Sequence, residues 1–214
     1  MSSFSVTDWQ RSKLHLDAFY GRLEQLRQEF SYNGYEDYNV KDTEGITPLY
    51  LAAQEGHVDV CKEIILKTED VTTRFLQDGT TPLHVAARRG HKEVCELLAE
   101  KMDQVNVGNY DGNYTPLHLA AMNGHEEICQ LLMSKTDDIN PKVESGESVL
   151  HFAAAKKGFH SICNIILDKT EDKNPRDKKQ NTPLHEAAKA GNISLVKRIL
   201  MESGESSINL LYTL

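Results

Sequence analysis

Thr115-Pro116-Leu117-His118 stands near the middle of this 214-residue chain, and it is not alone. The same four residues return as Thr81-Pro82-Leu83-His84 and Thr182-Pro183-Leu184-His185. Looser copies are Thr47-Pro48-Leu49-Tyr50 and Ser148-Val149-Leu150-His151. Their first residues lie 34, 34, 33 and 34 positions apart. A period of that length marks a chain of small units, none of which can bury its apolar face alone; stacking makes the core.

Each unit reads as turn, helix, tight loop, helix. Around the first tetrapeptide, Thr115 is an N-cap and Pro116 takes the first helical position, where its missing N–H costs nothing. Leu117, Ala120 and Ala121 fall on one face at i, i+3 and i+4. Gly124 ends the helix in a left-handed conformation. His125 and Glu126 open a second helix with apolar positions Ile128, Cys129, Leu132 and Met133. Val60, Val94, Ile162 and Leu195 fill the Ile128 column, and Ile64, Leu98, Ile166 and Ile199 the Leu132 column. The tetrapeptide histidines His84, His118, His151 and His185 are third helical residues within reach of the cap. His57, His91 and His125 follow the mid-unit glycine and read as local hydrogen-bonding residues.

The tetrapeptide, its period and the glycine after it resemble the ankyrin repeat family, and the resemblance covers nearly the whole chain. It implies an all-α fold: an ankyrin-repeat solenoid of stacked helix-turn-helix modules with projecting turn and hairpin loops, in one domain over 1–214. The expected division is a degenerate N-terminal capping repeat over 1–30 and a Tyr-rich loop over 31–46. Regular repeats follow over 47–80, 81–114, 115–147 and 148–181, then a C-terminal repeat and tail over 182–214. In the first, Ser12-Lys13-Leu14-His15 stands in for the tetrapeptide. The resemblance also implies that the tetrapeptide histidine links adjacent turns. Departures are Tyr50 for histidine, Ser148-Val149 for Thr-Pro, one extra residue at Ala155-Lys156-Lys157, and Gln180 for a turn glycine. The tail ends apolar, Ile208 to Leu214. It either folds back over the last module or marks a cut through a longer array.

The formal net charge of −8 argues against nucleic acid as partner, because phosphate binding needs a basic surface. No apolar run approaches the ~20 residues that span a bilayer, and Met1 to Asp17 holds no leader-like apolar stretch. Cys61, Cys95, Cys129 and Cys163 recur every 34 residues, one per unit. They read as small buried apolar side chains rather than disulfides or zinc ligands. The chain is expected to be cytoplasmic, with the nucleus as the alternative, and monomeric. No nucleotide loop, H-E-x-x-H, C-x-x-C or acid–base pair appears. The reading is therefore of a non-enzymatic chain with no catalytic, cofactor-binding or metal-binding residues.

Asn106 and Asn140 lie eight residues after Leu98 and Leu132 and follow Val105 and Ile139. That resembles the site intracellular asparagine hydroxylases use in ankyrin repeats; the competing reading is that these asparagines shape the turn.

Ankyrin repeats resembling these bind partners on a concave face of turns and first helices. On that face the variable positions make Tyr114, Met122 and Asn123 an uncharged aromatic-plus-Met centre flanked by Arg88 and Arg89, with Tyr110 a further candidate contact. From Ser148 to Arg198 there are 10 Lys and Arg against 5 Asp and Glu, so this stretch carries +5 and the rest of the chain −13. The expectation is a protein or peptide partner, acidic or of mixed charge, with its acidic part near Lys156, Lys157, Lys178 and Lys179. The function this implies is protein–protein interaction: recruitment, scaffolding or masking. The alternatives are an interaction segment of a larger channel, kinase or bacterial effector, and an engineered binder. The irregular modules speak against the last.

Overall fold

A computed structural model describes residues 13–33, 38–68, 70–156 and 158–203. Among them are twelve helices and no strand beyond one isolated bridge between Lys142 and Ser148. The first helices of the six modules are α1 (Lys13–Phe19), α3 (Pro48–Glu55), α5 (Pro82–Arg89), α7 (Pro116–Asn123), α9 (Val149–Ala154) and α11 (Pro183–Lys189). The second helices are α2 (Leu23–Asn33), α4 (Val58–Ile65), α6 (Lys92–Lys101), α8 (Glu126–Ser134), α10 (His160–Lys169) and α12 (Ile193–Ser203). Each first helix packs on the next first helix, and α2 through α10 pack in sequence as a second row. This is the stacked all-α solenoid expected. α2 runs on to Asn33, so Ser31, Tyr32 and Asn33 of the Tyr-rich stretch are helical, and Gly34 to Asp37 lie outside the described residues.

The core follows the columns of the sequence. Leu49, Leu83, Leu117 and Leu150 are fully buried, and so are the alanine pairs of α3, α5, α7 and α9. The paired alanines let first helices approach closely. The four cysteines are buried and free, and burial pushes each thiol up to about 12. They are inert packing groups.

Between modules the chain forms hairpins closed by one backbone bond. Asp42, Val143 and Asp177 each donate their N–H to the carbonyl four residues on, that of Ile46, Glu147 and Asn181. Phe75 and Asn109 donate instead five residues on, to Thr80 and Tyr114. The hairpins before the third and fourth modules are thus one residue longer. Successive tips join in a ladder: Leu76 N–H donates to Glu44 O, Tyr110 to Asp78, Glu144 to Gly112 and Lys178 to Ser145, at 2.7–3.0 Å.

Candidate functional site

The residues repeated most faithfully are consumed in holding the stack. In α7 the Thr115 N–H donates to His118 Nδ1 at 3.2 Å, which fixes Nδ1 as acceptor and puts the ring proton on Nε2. That Nε2–H donates to Pro141 O at 3.0 Å, across to the next module. His84 reaches Tyr114 O and His151 reaches Asn181 O in the same way. In the degenerate first module His15 still reaches Ile46 O. Tyr50, in the place of histidine, spans the same gap with its hydroxyl on Thr80 Oγ1 at 3.1 Å. Burial lowers His84 and His118 to about 4, and lowers His151 as well, so these rings are neutral hydrogen-bonding parts. His185 keeps its cap bonds, but among the described residues it meets no next-module carbonyl.

The second set of histidines departs from expectation. His57, His91 and His125 are not local: each reaches back one module, to Phe19 O, Gln54 O and Arg88 O at 2.9, 3.0 and 3.2 Å. Each ring sits where a Cβ on the earlier module's glycine, Gly21, Gly56 or Gly90, would stand. A Cβ on Gly90 would stand 2.6 Å from His125 Cε1. That glycine also sits at φ 85, a left-handed conformation. The signal was in the sequence, since histidine and glycine recur together, but adjacency in sequence pointed to a local bond. In the fifth module Phe159 takes the histidine's place, and in the sixth Asn192 caps its own helix by accepting from Leu195 N–H at 3.2 Å.

What remains free lies on the hairpin tips and first helices. Tyr114 is half-buried, with its ring edge-on to His118 at 6.0 Å and tilted against Phe152 at 5.7 Å. Met122 is half-buried at the far end of α7 and Asn123 donates its Nδ2–H to Leu119 O at 2.8 Å. An eight-residue helix, about 12 Å long, separates them from Tyr114, so the three expected to form one centre are spread along α7. The aromatic neighbour of Tyr114 is Phe152, which the sequence reading missed. Its position follows the tetrapeptide histidine, where Leu51, Val85 and Leu119 are buried. A half-buried Phe in that column was the available sign. Tyr110 is 61% exposed and lies over Gly79, with the Arg74 guanidinium 5.2 Å from its ring centre.

Arg88 and Arg89 are exposed at the end of α5. Lys156 is exposed just beyond α9, and Lys178 and Lys179 are exposed on the last hairpin; Lys157 lies outside the described residues. Three other cations of the basic stretch are paired: Arg198 with Asp168 and Glu202, Lys189 with Glu186, and Lys173 with Glu202. The opposite face carries cross-module pairs too, such as Arg27 with Glu63 and Lys92 with Glu127.

The two asparagines differ. Asn140 Oδ1 accepts the Leu150 N–H at 3.0 Å, as Asn39 does from Leu49 and Asn174 from Leu184, all ten residues on. Asn106 precedes a longer hairpin. Ten residues on from it is Pro116, which has no N–H. Its Oδ1 is buried without a partner, while its Nδ2–H donates to Asp138 O at 2.7 Å.

No helix among the described residues is long and apolar enough to cross a membrane. No curated protein matches the chain. A family model for ankyrin repeats in three copies matches residues 14–109, 68–143 and 117–210. With the module pattern, the cap-and-bridge histidines and the twelve stacked helices, this match establishes that the chain belongs to the ankyrin repeat family, whose repeats generally mediate protein–protein interaction.

Proposed function

We propose that this chain is a non-enzymatic recruiting or masking module that takes a protein segment along its hairpin tips and first helices. One observation carries the reading: the repeated side chains are occupied in the stack, whereas Lys156, Lys178 and Lys179 on this face form no ion pair among the described residues. Cations left unpaired beside paired ones favour an acidic group from outside. The half-buried Tyr114 and Phe152 supply the kind of aromatic surface that interface centres use. Capture from a native cell extract tests this. Wild-type protein should retain a partner that Lys156, Lys157, Lys178 and Lys179, all changed to Glu, release; equal retention would refute it.

The asparagine-hydroxylation reading is carried by Asn106, whose Oδ1 lacks the backbone clamp that Asn140 has. Mass spectrometry of natively expressed protein should find the added oxygen at Asn106 in preference to Asn140. Absence of oxygen at both removes the reading.

A further inference from the structure

Four residues spaced 34 apart, Leu76, Tyr110, Glu144 and Lys178, occupy one equivalent position on four successive hairpins. Each donates its backbone N–H to the hairpin before it. The ladder uses only that N–H, which any residue but proline supplies, so it does not dictate the side chains. All four are exposed, Leu76 to 64% and Tyr110 to 61%. Two large apolar side chains therefore stand side by side in solvent, followed by an acid and a base that form no ion pair among the described residues. The apolar pair covers glycines of the preceding hairpins, Leu76 over Gly45 and Tyr110 over Gly79, yet each keeps most of its surface in water.

We infer that this stripe reads an extended peptide whose own order is complementary: two apolar residues, then a basic one, then an acidic one. The inference rests on the proposed interaction function and names the partner's chemistry for it. The spacing follows from the stack. Packed helices lie about 8–10 Å apart, which sets the step from one hairpin to the next. An extended strand advances about 3.3 Å per residue, so about three peptide residues pass each hairpin. The acidic residue falls beside Lys178 and Lys179, and the basic residue beside Glu144. A helical ligand would advance only about 1.5 Å per residue and needs six residues per step.

Selection of a random 14-residue peptide library on the immobilised full chain tests this directly. Enriched peptides should carry apolar, apolar, basic and acidic residues at intervals of about three, in one chain direction. An exchange variant, Glu144→Lys with Lys178→Glu, keeps the net charge and leaves the backbone ladder intact. It should weaken an enriched peptide about tenfold, and exchanging that peptide's own two charges should restore binding. Enriched peptides without this order, affinity indifferent to the exchange, or no enrichment would each overturn the inference. The broader interaction reading fails separately, when capture from extract does not respond to the lysine reversals.

Discussion

The ring of Phe159 lies on Gly124, where a Cβ would stand 2.5 Å from Phe159 Cζ. At the three earlier boundaries a histidine occupies this place and also bonds back to a carbonyl. Phenylalanine keeps the close approach and loses the bond. One boundary further on, no neighbouring atom among the described residues lies within 4 Å of where a Cβ on Gly158 would stand. The staple between modules thus weakens step by step along the stack. Gly90→Ala and Gly191→Ala separate its parts. Both glycines have positive φ, but only Gly90 lies under a ring. Both variants should lose the ~1–3 kcal/mol of a strained left-handed residue. Gly90→Ala should lose about 1 kcal/mol more as His125 is displaced from Arg88 O. Urea unfolding of the two variants measures the difference, and equal losses would remove the staple as an energetic element.

The neutral bridging histidines make stability depend on pH. His84 and His118 titrate near 4 in the folded chain, below the ordinary 6.5, because burial disfavours the charged ring. Between those values the unfolded chain binds more protons, so stability is full above about pH 6.5 and falls as pH drops towards 4. Two such groups give a slope of up to about 2.7 kcal/mol per pH unit. Urea midpoints at pH 7, 6 and 5 should fall progressively. Replacing both histidines by Gln should lower the pH 7 midpoint and flatten that fall.

Asn140 and Asn106 look alike in sequence and should behave differently. Asn140→Ala leaves the Leu150 N–H at the start of α9 without its acceptor, a loss of ~1–3 kcal/mol. Asn106→Ala removes a carbonyl that had no donor and one bond to Asp138 O, so it should cost about 1 kcal/mol less than Asn140→Ala. Thermal melts of the two variants check the order.

Tyr114 and Phe152 pack on one another while both remain half-buried. Tyr114→Ala and Phe152→Ala should each weaken a captured partner by about tenfold, as truncated aromatic anchors do. Titration calorimetry of each variant against that partner measures this. Unchanged affinity in both would move the contact elsewhere on the face.

The fold was legible because its determinants are local and repeated. A cap, a proline, a paired alanine and a glycine each announce themselves within ten residues, and the period multiplies the signal. What stayed hidden depends on geometry between modules. His125 reaches Arg88 O, 37 positions away in sequence, and the glycine that recurs beside the histidine fits a local bond as well as a bond between modules. The longer hairpins at Phe75–Thr80 and Asn109–Tyr114 were masked because the tetrapeptide spacing of 34 is preserved across them. That extra residue is what unclamps Asn106. On the candidate face, the sequence singles out Tyr110, Tyr114 and the lysines, since variable polar positions stand out against a regular frame. It hides Phe152 and Leu76 because apolar residues in a repeat are read first as core.

In the proposed function the repeated residues hold the stack, while Lys156 beside α9 and Lys178 and Lys179 on the last hairpin draw in an acidic partner. The most direct measurement is the association rate of the captured partner at low and high salt. It compares wild type with the variant in which Lys156, Lys157, Lys178 and Lys179 are Glu. Wild-type association should be fast and should slow with added salt, and that of the variant should be slower and insensitive to salt. Identical rates with identical salt dependence would contradict it.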